Sequence, residues 1–283
     1  MKLNKETASV LIPDRIPVDS ALERVTHLGI GAHADDLEIM AYHGIAECLH
    51  RSDRWFGGIT CTDGAGAPRS GPYAHLSDAD LRELRRKEQE NAARIGHYSV
   101  MIQLDYPTSE AKSTRSPLRD DLVWLVGRMR PDYIYTHNLA DKHPTHIAIT
   151  LAVIDAVRRL PRERRPSALY GCEVWRGLDW MLDEEKVSLD VSAYPGLAET
   201  LVGVFDSQIS GGKRYDLATR GRRRANATYF QAHQSDQASQ LSLALDLTPL
   251  IENEQLDPAD YVKGFLDRFR ADVLEQIRKL QST

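Results

Sequence analysis

The stretch from Arg24 to Glu38, RVTHLGIGAHADDLE, decides the fold. Val25, Leu28 and Ile30 give its first half the character of a buried strand, predicted from Arg24 to Gly31. From Asp36 to His50 the apolar residues recur at helical spacing, so strand passes to helix through Ala32-His33-Ala34-Asp35. His33 and the pair Asp35–Asp36 therefore stand at the carboxyl end of a strand.

The same alternation continues along the chain. Strands are predicted from Trp55 to Cys61, Ser99 to Leu104, Asp132 to His137 and Leu169 to Trp175. Between them come a long charged helix that ends at Ile95, with Ser77 as its cap, and a helix from Leu118 to Met129 stopped before Pro131. A further helix runs from His143 to Leu160 and ends at Pro161. Strands alternating with helices of this length predict a Rossmann-like α/β fold, a mainly parallel sheet flanked by helices. In such sheets ligands bind outside the carboxyl ends of the strands. Beyond Trp175 the pattern weakens, and Leu178 to Lys186, Tyr215 to His233 and Tyr261 to Leu280 read as helices. The expected organisation is a single domain over residues 1–283, with an α/β core at 24–175 and a helical C-terminal elaboration at 176–283.

Composition narrows the function classes. With 42% hydrophobic and 27% charged residues the chain has an ordinary globular balance. A net charge of -5 lacks the basic footprint of a nucleic-acid binder. Cys48, Cys61 and Cys172 are far apart, which reads as buried thiols in a reducing compartment. Met1 to Ile16 carries no apolar signal segment, and the apolar run from Ile147 to Val157 is too short to span a bilayer. The expectation is a cytoplasmic protein acting on a small molecule, with no nucleic-acid or membrane partner. The C-terminal region is expected either to pack on the core or to form a homo-oligomer contact.

A second polar cluster, Asp141-Lys142-His143-Pro144-Thr145-His146, again lies between a strand and a helix. His33 and Asp36, three apart, can bind one ion. One more imidazole completes a two-histidine, one-carboxylate set that leaves a position for water. Asp35, between them, is better placed as general base, although Asp35 and Asp36 also suit plain helix capping. His143 and His146 project to one side of their helix, so one can bind metal while the other donates to a developing oxyanion.

These residues resemble the PIG-L or LmbE-like N-acetylglucosaminyl deacetylases. The family's Ala-His-Pro-Asp-Asp-x-Glu is similar to Ala32-His33-Ala34-Asp35-Asp36-Leu37-Glu38, and its Asp-x-His-x-Asp-His to Asp141 through His146. Thr62-Asp63-Gly64 and Arg85-Arg86-Lys87-Glu88, with Ala92 and Gly96, resemble the intervening pattern. The likeness runs over roughly 24–160, and a fainter one covers Tyr229 to Gln234. It implies that His33, Asp36 and His146 bind zinc, that Asp35 is the base, and that His143 stabilises the oxyanion of an N-acetyl group under hydrolysis. Ferrous iron also suits the ligand set. Arg85 and Asp63 are the substrate-binding candidates, and the loop Gly64 to Tyr73 is long enough for a lid. Ala34 departs from the family's proline. Thr145 departs from an aspartate that orients the neighbouring histidine.

Two other readings compete. Gly29-Ile30-Gly31-Ala32-His33-Ala34 satisfies the nucleotide-binding pattern G-x-G-x-x-A after a strand, but Asp35 and Asp36 would repel a pyrophosphate. His33-x-Asp35 with a distant histidine imitates a ferrous oxygenase triad. That motif belongs to antiparallel β structures, which this alternation does not predict.

Overall fold

Along the second strand the side chains alternate, with Leu28 and Ile30 buried in one apolar layer and the glycines on the other face. A Cβ on Gly29 would stand 3.0 Å from the Leu37 side chain and 2.8 Å from the Phe56 ring. One on Gly31 would come within 3.0 Å of the Asp36 Cβ. The glycines thus let the helix that begins at Asp36 press directly on the sheet, which is the physical use of the G-x-G spacing here.

A computed structural model describes residues 3–282. Its strands are β1 (Ser9–Leu11), β2 (His27–Gly31), β3 (Phe56–Thr62), β4 (Val100–Tyr106), β5 (Tyr133–His137), β6 (Ala168–Cys172), β7 (Lys186–Asp190) and β8 (Leu241–Asp246). They form one sheet in the order β1-β4-β3-β2-β5-β6-β8-β7. The five central strands, β4 to β6 in that order, run parallel. β1 is antiparallel on one edge, and β8 and β7 extend the other edge with antiparallel pairs. The helices Leu118–Met129 and Pro144–Arg158 cover one face, burying Leu122, Leu125, Val153 and Val157 with Leu28 and Ile30. The helices Asp36–Met40, Tyr42–Cys48, Asp78–Ile95 and Pro195–Gly203 lie against the other face, around Leu37, Ile45, Phe56 and Tyr98.

The mainly parallel α/β sheet flanked by helices is the predicted one. Three details differ. The helix predicted from Asp36 to His50 is two short helices that meet at Ala41. Leu178 to Lys186 is turns and a short 3-10 segment leading into β7, not a helix, although Leu178 and Met181 are buried. The C-terminal region also adds β7 and β8 to its helices, so it completes the sheet rather than only packing on it. Among the described residues no helix is long and apolar enough to cross a membrane.

β2 and β5 are parallel neighbours, with β3 and β4 continuing to one side and β6 to the other. The strand order reverses between them, and such a switch point leaves a crevice at the carboxyl ends. The turn after β2 and the turn after β5 both open there.

Candidate metal centre

The turn after β2 delivers His33, Asp35 and Asp36, and the turn after β5 delivers Asp141, His143 and His146. The structure brings the predicted ligands together. His33 Nδ1 lies 3.2 Å from His146 Nε2 and 3.4 Å from Asp36 Oδ2, and His146 Nε2 lies 3.5 Å from Asp36 Oδ1. A tetrahedral ion with bonds of about 2.0–2.1 Å to nitrogen or oxygen holds its ligand atoms about 3.3–3.4 Å apart. The His33–His146 separation is close to that value, while Asp36 approaches the two rings through different oxygens, Oδ2 towards His33 and Oδ1 towards His146.

Among the described residues, the compact groupings of potential ligand atoms are His33 with His143 and His146, and Asp36 with His137 and His146. Hydrogen bonds rank them. His137 Nε2 lies 3.4 Å from Asp36 Oδ2, but it accepts the Ala32 amide at 3.0 Å, so its lone pair is engaged. His143 Nδ1 accepts the Thr145 amide at 3.3 Å, which leaves the proton on Nε2 and makes that nitrogen a donor. Burial, then repulsion by His33 and His146, lowers the His143 pKa to about 4, so the ring is neutral at neutral pH. A neutral imidazole with a free N–H suits an oxyanion better than it suits a metal.

Asp141 sets the orientation of this second cluster. One carboxylate oxygen accepts the His143 amide at 2.9 Å and lies 3.6 Å from His146 Nδ1; the other accepts the Trp175 amide at 3.1 Å. Burial disfavours charge on His146, yet Asp36 and Asp141 together raise its pKa. A carboxylate behind a ligand histidine fixes its ring and tautomer. The position where the family carries an aspartate, Thr145, orients His143 through its backbone amide instead.

The two adjacent aspartates are driven apart. Burial, then the Asp36 charge, raises the Asp35 pKa well above the ordinary range. Burial opposes ionisation of Asp36 as well, but His146, His137 and His33 hold it well below that range. Asp35 occupies the N-cap position of the helix Asp36–Met40 with φ 89° and makes no capping bond with its side chain. The capping explanation for Asp35 therefore fails, and its buried carboxylate is available for proton transfer.

The helix Asp78–Ile95 supports this turn from the far side. It starts on a Ser77–Asp80 capping box, as the Ser77 reading anticipates. Arg85 is buried and donates to the carbonyls of Ala34 and Gly64, both at 3.0 Å. Gln89 accepts the Asp35 amide at 3.4 Å and donates to Glu38 at 2.8 Å. Arg85 and Gln89, one helical turn apart, thus grip both ends of the Ala34–Asp35 peptide. Asp63 stands nearby with one oxygen on Arg82 at 2.9 Å and the other on the Ala65 amide at 3.2 Å. The loop after Gly64 is tied to the C-terminal region, with the Ser70 amide donating to the Gly211 carbonyl at 2.8 Å and Tyr73 bonded to Asp206. Tyr229, by contrast, is 82% exposed, and His233 and Gln234 are exposed as well.

His137 was not among the sequence candidates. It is fully buried at the last position of β5, stacked on His146 with ring centroids 3.7 Å apart. Its place as the final residue of a strand beside β2 was the available signal. Trp175 and Tyr215, packed edge to face beside His143, also carried no motif.

The nucleotide-binding reading loses its footing in this turn. The Ala32 and His33 amides that a phosphate would need donate to His137 and to Asp36 Oδ2, the latter at 2.7 Å. The parallel sheet likewise disagrees with an oxygenase built on antiparallel β structure.

Several solved structures share this fold. A conserved protein from Thermus thermophilus, TT1542, has TM-score 0.60 at 20% identity, covering 78% of this chain and 94% of that one. The N,N'-diacetylchitobiose deacetylase of Pyrococcus horikoshii has TM-score 0.57 at 18% identity, over 82% and 88%. GalB, the 4-carboxy-2-hydroxymuconate hydratase of Pseudomonas putida KT2440, has TM-score 0.57 at 16% identity, over 78% and 95%. At these identities the likeness is one of fold, which hosts both a deacetylase and a hydratase. No curated protein sequence matches this chain. The sequence profile that does match is that of the GlcNAc-PI de-N-acetylases, and it spans both histidine turns and the helices between them. Residues 28 to 157 of this chain match the PIG-L family model.

Proposed function

We propose that the chain is a metal-dependent deacetylase that hydrolyses the N-acetyl group of an N-acetylglucosamine-type small molecule. The observation that carries this reading is the spacing of His33, Asp36 and His146 at 3.2–3.5 Å beside an Asp35 carboxylate that caps nothing. Zinc is the proposed ion, and ferrous iron suits the same donors. His33, Asp36 and His146 would hold the ion, which would supply Lewis acidity to the amide carbonyl and would lower the pKa of water from about 15.7 to roughly 7.

The chain's own groups divide the remaining work. Asp35, with its raised proton affinity, takes the proton of the attacking water, and pairs of carboxylates driven apart in this way mark acid–base assignments. His143 donates from Nε2 to the tetrahedral oxyanion, a contact typically worth about 3 kcal/mol. The departing amine needs a proton, and Asp35 returns the one it has taken. Asp63 and Arg85, the sugar contacts of this proposal, are both engaged within the fold, Asp63 by Arg82 and the Ala65 amide and Arg85 by the Ala34 and Gly64 carbonyls.

The test is metal content followed by acetate release from N-acetyl sugars, with and without chelator. Release that disappears on chelation and returns with zinc or ferrous iron supports the proposal. Full activity after complete chelation overturns it. Acetate is also the product that separates this chemistry from hydration of a double bond.

A further inference from the structure

Next to the metal centre the C-terminal region builds a cleft of about 170 Å³. One wall is aromatic. Trp175 and Tyr215 meet edge to face with centroids 5.9 Å apart, and Trp175 lies 6.4 Å from the His143 ring. The Tyr215 phenol is pushed up to about 12 by burial and then by the charges of Asp35 and Asp36.

The same lining carries cations. Lys213 holds its ammonium 4.7 Å from the Trp175 ring centroid. Arg222 donates to the Val174 carbonyl. Arg223, 4% exposed, donates to the Glu38 and Ile39 carbonyls at 2.8 and 2.9 Å, and its Nε has no partner. Among the described residues no carboxylate lies within 4.0 Å of any of these three cations. Arg214, also in the lining, is paired with Asp216. The one acid of the lining, Glu173, is engaged by the Leu178 and Leu243 amides and by Asn226.

Lys213, Arg222 and Arg223, none with a carboxylate at ion-pair distance, repel one another in a chain whose net charge is -5, while Arg223 also lies over the Tyr42 ring. Such a focus of positive potential raises the local concentration of an anion and is relieved when one binds. Arg223 grips carbonyls two and three residues beyond Asp36, so the floor of the cleft is about one helical turn, roughly 5.4 Å, from a metal-holding carboxylate. A single molecule can span both.

Building on the deacetylase reading, we infer that this cleft selects substrates carrying an anionic group, a carboxylate or a phosphate, on the side remote from the N-acetyl group. The ring that bears it rests against Trp175 and Tyr215. Apart from Ile39, the lining lies outside residues 28–157, so the selectivity belongs to the C-terminal region.

The experiment compares kcat/KM of the metal-loaded chain for a neutral methyl N-acetylglucosaminide, for N-acetylglucosamine 1-phosphate and for an N-acetylglucosaminide with a carboxylate aglycone. One or both anionic compounds should exceed the neutral one by about tenfold or more, the worth of one charge-assisted hydrogen bond, and the advantage should shrink with added salt. The better of the two names the group. The double variant Lys213→Gln, Arg222→Gln should lower kcat/KM for the preferred anion at least about tenfold more than for the neutral sugar. Equal use of all three, or an equal loss on all three in the variant, overturns the inference. Calorimetric binding of glucosamine 1-phosphate and of a glucosaminide with a carboxylate aglycone keeps the test separate from the chemistry. If no substrate releases acetate, binding that weakens in the variant sustains the anion site while the deacetylase reading falls. Absent or unchanged binding then removes the site as well.

Discussion

Asp35 and Asp36 share a side chain and a turn, yet burial and neighbouring charge give them opposite proton affinities. Replacing Asp35 with Asn keeps the shape and removes the base. Acetate release should fall about 10²–10⁴-fold, the usual worth of a general base, while zinc content stays at the wild-type value; a variant that turns over normally clears Asp35 of this role. Asp141 acts one step further out. Asp141→Asn should weaken zinc binding about 10–100-fold, read by competition with a chromophoric chelator. Equal affinity would show that His146 needs no carboxylate behind it. The two turns were legible because each carries several polar groups at short spacing. His137 was not, because a lone histidine closing an apolar strand looks in sequence like any other buried residue. Only the pairing of β2 with β5 brings it to Asp36.

At the scale of elements, the helix Asp78–Ile95 supports the turn after β2 through Arg85 and Gln89 on the Ala34–Asp35 peptide. Asp35 sits at φ 89°, a conformation that costs a non-glycine residue roughly 1–3 kcal/mol. Where the family's proline would restrict this turn, the chain has Ala34 and a helical clamp. Gln89→Leu should lower kcat about three- to tenfold, the net value of one hydrogen bond, with metal content and KM little changed; an unchanged kcat would mean the turn holds itself. β2 itself carries a titrating group at its start. His27 stacks on Tyr133 of β5 at 4.9 Å, and burial, then His43 and Arg54, lower its pKa to about 4. The folded state then binds fewer protons than the unfolded one. This contribution is fully present above pH 6.5 and is lost as pH falls through 4, with a ceiling of about 3 kcal/mol. Urea unfolding of His27→Gln at pH 7.5, 5 and 4 should show a flatter acid slope than the wild type. Parallel slopes would place the titration elsewhere. Helix ends such as Ser77 and Met129 were readable because capping and proline signals are local. The segment after Gly177 was misread for the same reason: Leu178 and Met181 have helical spacing, but tertiary burial, not a helix, uses them.

For the molecule as a whole, β8 is one of the strands that the sequence concealed, with β1 and β7. It runs Leu241–Asp246, far from both strands it joins, and its short alternation gains meaning only when β6 and β7 lie on either side. Leu243, Leu245, Leu247, Leu250 and Ile251 enter the same apolar layer as Leu125 and Val153. Arg158 and Arg165 fasten the following turn through the Leu250, Leu256 and Ile251 carbonyls. Burying such side chains stabilises by roughly 2 kcal/mol each, and their sum approaches the whole net stability of a domain, about 5–15 kcal/mol. We therefore expect the chain to unfold as one unit. A version ending at Gly177 should lack a cooperative thermal transition by circular dichroism. A version ending at Asp257 loses the helix Pro258–Gln281, in which Phe265 is the buried residue, and should keep one transition at a lower midpoint. Two separated transitions in the full chain, or a cooperative melt for the version ending at Gly177, would instead make the C-terminal region an attachment to a self-sufficient core.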